Sequence, residues 1–377
     1  MTFTELNRRV VRGESGGKII WQPRIGAWLA DKLFEKEELP GRFKGMARLS
    51  EIYRELNCSA RPYEFGASYV RKEHPSVRLE RKTLSSSDEE ISFHTPVGVQ
   101  TILWRRTATS RRKIMAKHEI ETEKDLRVAA WRENHCSWEW SQTTYDRTMQ
   151  EWNGLGLPAF TVTPLDAGYY GPRVNIQELF TSRMGVENTI YALADWPAAV
   201  DEFCEASNNS FGRLIDVINA SPIDMICFGD NHHASTMPPA LFRKYVMPEY
   251  QRRCEKLHRA GKFVCSHWDG DVKPLLPLAR ELGLDGIEAI TPQPQGDVTL
   301  EETRAALGDK LFLFDGIPAI LFDDMYPVSM LRECAQKVID LFAPNLVLGI
   351  SDEISAHGNI ERICVVSEIV DRYNSGR

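Results

Sequence analysis

Residues 263–271 read FVCSHWDGD, where apolar residues suited to a buried strand lead into a histidine and two aspartates at alternate positions. On an extended strand, side chains at i and i+2 share a face, so His267 and Asp269 can reach one ion or one substrate group together. A closed site needs donors from other segments, and two carboxylates stand at comparable places: Glu288 in the next apolar run and Asp352 at the end of the last. His267, Asp269, Glu288 and Asp352 form an oxygen-rich set that suits zinc or another divalent cation, though less selectively for zinc than a set with thiolates. Asp230, Asp269 and Arg24 are the expected catalytic groups. Without a metal, Asp269 or Asp230 would stabilise positive charge on a protonated substrate while Arg24 holds a carboxylate. Trp21, Trp28, Tyr63, Phe65 and Tyr169, with Tyr69 and Tyr170 nearby, are expected to line a flat-faced cavity for a ring or a methyl-bearing cation. His232 and His233 complete the substrate-binding set. Adjacent in an extended segment, at most one of them can face the cavity.

Eight short apolar runs would have to position these side chains: residues 18–24, 55–63, 158–168, 223–231, 262–270, 284–291, 310–317 and 345–354. From residue 200 onward they alternate with helical segments, including one over 272–283, and strand–helix–strand repetition points to parallel β/α architecture. Eight strands predict a (β/α)8 TIM barrel, whose chemistry sits at the carboxyl ends of the strands. Those ends carry Arg24, Tyr63, Asp166, Asp230, His267, Glu288, Asp315, Asp352 and Glu353. Residues 78–107 break the rhythm with period-two alternation, and read as a small antiparallel β insertion after the second strand, leaning over a barrel mouth. No linker divides the chain, so residues 1–377 are read as one domain.

The formal charge of −7 argues against a nucleic-acid partner, and RRTATSRRK at 105–113 is read as a solvated face. No run reaches the roughly 18–20 apolar residues of a membrane span, and the polar MTFTELNRR lacks a signal-peptide core. The expectation is a soluble, cytoplasmic protein. Eight scattered cysteines without a Cys-x-x-Cys pair read as reduced packing residues.

The second half resembles the uroporphyrinogen decarboxylase-like superfamily, which includes zinc-dependent, corrinoid-linked methyltransferases and whose barrel is related to cobalamin-independent methionine synthase. The resemblance rests on DMICFGDN, SHWDGDVKPLLPLARELGLDGIEAI, FDGIPAILF and GISDEI, and more loosely on NRRVVRGE, PRIG and TPVGVQ. It implies a metal-dependent methyltransferase acting on a small methylated or methoxylated compound and passing methyl to a corrinoid carried by a partner protein. In those relatives zinc is held by a His-x-Cys pair and a later cysteine. His267 carries over, Asp269 falls on the first cysteine, and the last falls near Ser351 or Asp352. The decarboxylases' Arg-x-x-Gly-Arg stretch is matched only by Arg24 and Gly26. A metal-free, decarboxylase-like lyase and a non-catalytic binding barrel are the alternative expectations.

Overall fold

The computed structural model describes residues 1–161 and 173–376. In chain order its strands begin with β1 (Ile20–Trp21), β2 (Tyr69–Lys72), β3 (Arg78–Thr83), β4 (Asp88–Thr95), β5 (Gly98–Thr107), β6 (Ser110–Lys117) and β7 (Ser137–Trp140). There follow β8 (Ala159–Phe160), β9 (Met225–His232), β10 (Phe263–Trp268), β11 (Gly286–Glu288), β12 (Phe312–Pro318) and β13 (Leu346–Ser351).

Seven of them form one curled parallel sheet in the order β1-β13-β12-β11-β10-β9-β8, an α/β architecture consistent with a TIM-like barrel. These strands are short and apolar because both faces are buried. One face supplies an inner cluster of Ile20, Ala159, Met225, Cys227, Cys265, Phe312, Phe314 and Val347. Val10, on the N-terminal helix Phe3–Val11, joins it, and that helix starts on a capping box in which Thr2 and Glu5 satisfy each other's backbone N–H groups. The other face packs against the helices in a far larger core that includes Trp21, Ile226, Phe228, Val264, Ile287, Leu348 and Ile350.

Two expected elements differ. The run 55–63 is not a strand, since the helix Leu49–Leu56 and the 3-10 helix Tyr63–Ser68 take its ends. What remains is extended: Ser59 N donates to Trp21 O at 3.2 Å and Ala60 N to Leu155 O at 2.9 Å, which sets this segment between the β1 edge and the residues leading into β8. Pro62 lacks the N–H that would continue a ladder. The helix expected over 272–283 is reduced to the 3-10 helix Leu276–Glu281, because Pro274 and Pro277 remove two of its donors. The third run, 158–168, is described only as far as Thr161, and Asp166, Tyr169 and Tyr170 lie outside the described residues.

The insertion is antiparallel as expected, but longer. β3-β4-β5-β6 form a four-stranded sheet reaching Lys117, so the basic run 105–113 is the β5–β6 hairpin. Ile91, Phe93, Ile102 and Trp104 form its apolar face. Gln100 Nε2 donates to Asp125 O at 3.1 Å on the helix Glu123–His135, and the hairpin reaches the helix Gly26–Phe34 through an Arg111–Asp31 ion pair.

Candidate active site at the strand ends

Strand parity decides which side chains enter the barrel. On β1 Ile20 points inward and Trp21 outward, and in the extended residues beyond, Gln22 and Arg24 reach the interior. On β10 Cys265 and His267 share the inner face, while Ser266 turns outward to Tyr250. The strand ends open on a cavity of about 430 Å³, lined by His267, Asp269, Glu288, Asp352, Arg24 and Tyr63 among others.

A buried electrostatic strut lies beneath this cavity. Arg61, fully enclosed, donates from Nη2 to Asp315 Oδ1 at 2.9 Å and from Nη1 to Asp315 Oδ2 at 3.2 Å, and its Nη1 stands 2.9 Å from Glu288 Oε1. Its Nε donates to Gln22 Oε1 at 2.8 Å. Such a fork matches two carboxylates in a way a lysine cannot. Burial disfavours charge on Glu288, but Arg61, His267 and Arg24 more than offset it and hold the carboxyl well below its ordinary range. Glu288 therefore stays ionised. Its Oε1 also accepts from His267 Nδ1 at 3.2 Å, whereas Oε2 faces Cys227 Sγ at 2.8 Å. Gly349 makes the strut possible, because a Cβ there would collide with the Asp315 carboxylate.

Nearer the opening, His267, Asp269 and Asp352 each offer a ligand atom within 4.8 Å of the other two. Arg24 Nη1 lies 3.5 Å from Asp352 Oδ1 and 3.6 Å from Glu288 Oε1, yet neither it nor Nε makes a hydrogen bond. The Tyr63 hydroxyl is likewise buried without a hydrogen-bond partner, and burial pushes its phenol well above the ordinary range. The Arg24 guanidinium sits 5.7 Å from the Tyr63 ring centroid. Both groups line the cavity and have hydrogen-bonding capacity to offer an occupant. Asn231, Ala289 and Asp352 adopt positive φ (52°, 68° and 64°) at or just beyond the ends of three strands, and Asp315 (77°) does so within β12. Left-handed backbone at non-glycine residues is costly, and its concentration here fits chain ends shaped for a site.

Several expected residues stand elsewhere. Asp230 is off the cavity: it accepts from Val174 N at 2.8 Å and from the Tyr250 hydroxyl, because parity puts Cys227, Gly229 and Asn231 inside and residues 230 and 232 outside. His232 is enclosed against Phe242 and hydrogen-bonds Tyr250 at 3.0 Å, while His233 meets Thr236 near the surface. Trp21 stacks on Phe322, Trp28 packs edge-on to Phe43, Phe65 meets Tyr145, and Tyr69 bonds Ser221 at 2.8 Å. These aromatics fill the barrel–helix core, and of the expected set Tyr63 faces the cavity. Glu353, also at the opening, caps the helix Gly26–Phe34 by accepting from Ala27 N.

Three arginines at or beneath the site were not singled out from the sequence. Arg61 lay inside a run read as an apolar strand, where a charged residue is itself a signal of a buried partner. Arg112 lines the cavity from the hairpin read as a solvated face, and Arg173 lines it while donating to Gly229 O at 2.7 Å. No local pattern announces a hairpin tip that reaches the opening.

A curled parallel sheet with ionisable groups converging at the carboxyl ends of its strands is the arrangement in which TIM-like barrels place their sites. Residues 163–372, more than half of the chain, match the model of the family described as Uroporphyrinogen decarboxylase (URO-D), and the chain belongs to that family. Among solved structures, a methyltransferase from Methanosarcina mazei superposes with a TM-score of 0.60 at 11% identity, covering 99% of both chains, a likeness of fold. An octameric ribulose-1,5-bisphosphate carboxylase/oxygenase from Pyrococcus horikoshii OT3 matches at a TM-score of 0.30 and 11% identity, over 67% of this chain and 47% of that one, too remote to carry an argument. No curated protein matches the sequence. Among the described residues no helix is long and apolar enough to cross a membrane.

Proposed function

We propose that the chain is a metal-dependent methyltransferase in which His267, Asp269 and Asp352 hold a divalent ion, zinc foremost, at the cavity opening. The observation that carries this reading is the approach of their ligand atoms to within 4.8 Å of one another at strand ends that also line the cavity. Three protein ligands with a fourth position open is the pattern of catalytic zinc. When bound, the ion would polarise the heteroatom of a methyl donor or acceptor. Glu288 serves as the orienting partner rather than a ligand at the opening. Its Oε1 accepts a hydrogen bond from His267 Nδ1, which would leave Nε2 free for the ion, a carboxylate–histidine pairing common beside metals.

The lining supports a small polar substrate with an anionic group instead of a flat apolar ring, since Arg24, Arg112, Arg173 and Tyr63 surround the space. Arg24 and the Tyr63 hydroxyl would bind and orient that group. A corrinoid protein as methyl acceptor belongs to the proposal through the family relationship. A second reading, the metal-free lyase, is favoured by the 3.5 Å approach of Arg24 to Asp352, which neutralises that carboxylate without an ion.

Metal analysis separates the two. His267→Ala is expected to lose most of the zinc bound at the opening and the methyl transfer to a free corrinoid, with the far-ultraviolet circular dichroism unchanged. Asp269→Cys is expected to raise zinc affinity. Unaltered zinc content in the first variant, with no gain in the second, would remove the metal mechanism in favour of the lyase.

A further inference from the structure

Below the opening the barrel carries a second set of donors. Cys227 and Cys265 are direct neighbours on the parallel strands β9 and β10, and Glu288 stands on the adjoining β11. Their two sulfur atoms and one carboxylate oxygen lie within 4.8 Å of one another, all three residues buried. Cysteines on the inner face of a sheet are most often small packing residues. Three features set this pair apart.

The first is the division of labour on Glu288. Oε1 is the oxygen nearest to Arg61 and Arg24 and the one bonded to His267, while Oε2 lies 2.8 Å from Cys227 Sγ. One oxygen is thus directed at the sulfurs. The second is access, because Cys227 and Glu288 line the cavity and an ion held between them would have a route in and an open fourth position. The third is charge. Glu288 and Asp315 are balanced by Arg61 and Arg24, so the buried group is neutral with both thiols protonated. A divalent ion that displaces the two thiol protons adds two positive charges and leaves two thiolates. The buried net charge stays at zero, and the metal incurs no uncompensated desolvation cost.

We propose that Cys227, Cys265 and Glu288 form a second metal site for a thiophilic divalent ion of the zinc and cadmium class, one layer beneath His267, Asp269 and Asp352. Two thiolates and a carboxylate suit soft or borderline ions over magnesium or calcium. The site is independent of the methyltransferase reading and stands whether or not the opening holds an ion. Because Glu288 also fixes His267, occupancy below would stiffen the ligand above.

Cobalt titration of the fully reduced protein, followed by absorbance, tests the proposal. Thiolate-to-cobalt charge transfer gives an intense near-ultraviolet band that a His/Asp/Asp site cannot produce. The expected result is such a band at one cobalt per chain, abolished in Cys227→Ser and in Cys265→Ser and retained in Asp352→Asn and in Cys364→Ser. Zinc is expected to bleach it, and zinc or cadmium to slow alkylation of the two cysteines, read by peptide mass spectrometry, at least tenfold. That protection assay needs no variant and decides the matter if the serine variants fail to fold. Absence of the band in the wild type, its survival in both serine variants, or alkylation unaffected by zinc and cadmium would each overturn the proposal. Loss of zinc at the opening alone, as in Asp352→Asn, bears on the methyltransferase reading and not on this one.

Discussion

Removing Arg61 is the most direct probe of how the site is held. Its guanidinium makes 2.9 Å contacts with both Glu288 and Asp315, and all three side chains are enclosed. At an effective dielectric near 20, each contact corresponds to about 6 kcal/mol of Coulomb attraction. Most of that offsets the desolvation of the three charges, and breaking a buried pair by deleting one partner costs a net ~3–5 kcal/mol. Arg24 does not substitute, since its approaches to the same carboxylates are 3.6 and 3.9 Å and its Nη1 makes no hydrogen bond. With an unfolding entropy of roughly 2.1 cal/mol/K per residue, 377 residues give about 0.8 kcal/mol/K, so Arg61→Met is expected to lower the thermal midpoint by about 4–6 °C. Arg61→Lys should recover part of the loss, because it restores charge without the fork. Differential scanning calorimetry at pH 7 reads the shift, and zinc titration reads the accompanying loss of His267 orientation. An Arg61→Met protein melting within 1 °C or so of the wild type would refute the strut, since even the low end of the expected cost exceeds that.

Burial holds the His232 imidazole at about 4, below its ordinary 6.5, so the native state refuses a proton that the unfolded chain accepts. The stability this contributes is complete above pH 6.5 and is lost as pH falls towards 4, up to about 3 kcal/mol. Urea unfolding at pH 7 and 4.5 should show the drop in the wild type and a smaller one in His232→Phe, and an equal drop in both would remove His232 as its source. Trp28→Ala is expected to cost ~3–5 kcal/mol and to leave metal binding intact, because Trp28 is a core residue; a selective loss of zinc affinity would return it to the site. Arg112→Ala is expected to stay within about 0.5 kcal/mol of wild-type stability. It should weaken binding of small carboxylates measured by calorimetry, and unchanged affinity would take the hairpin out of substrate recognition.

The repeating apolar runs made the parallel α/β architecture legible, because strands buried on both faces must be continuously hydrophobic. The His-x-Asp pair was legible for the same geometric reason, since parity on an extended segment needs no knowledge of the rest of the fold. Parity was misjudged at β9. There Asp230 was read as the residue facing the site, but Met225 and Cys227 fix the inner face, and counting from them puts 230 and 232 outside. Aromatic residues carried no positional information, because the barrel–helix core and a cavity accept the same rings. The arginines were hidden for another reason. Arg61 and Arg173 acquire their roles from partners 254 and 56 positions away, Asp315 and Gly229, and Arg112 from a cavity whose other walls are distant in the chain, relations that local pattern does not encode.

The distribution of Glu288's contacts bears on how any activity in this barrel should be dissected. A residue that hydrogen-bonds His267, pairs with two arginines and faces two thiols is at once structural and functional. Substituting it would lower stability, metal affinity and turnover together, and the loss would assign nothing. Asp269 and Asp352 are different: they stand at the opening, and Asp352 is about half exposed, so their removal leaves no buried charge without a partner. The order of the layers follows from this. Charges that the fold must neutralise lie deep and are tied by Arg61, whereas charges that an ion or substrate is to neutralise lie where water can hold them until it arrives. Asp269→Asn and Asp352→Asn are therefore the variants whose kinetics can be read as chemistry, and Glu288 and Arg61 the ones whose kinetics must be read against their stability.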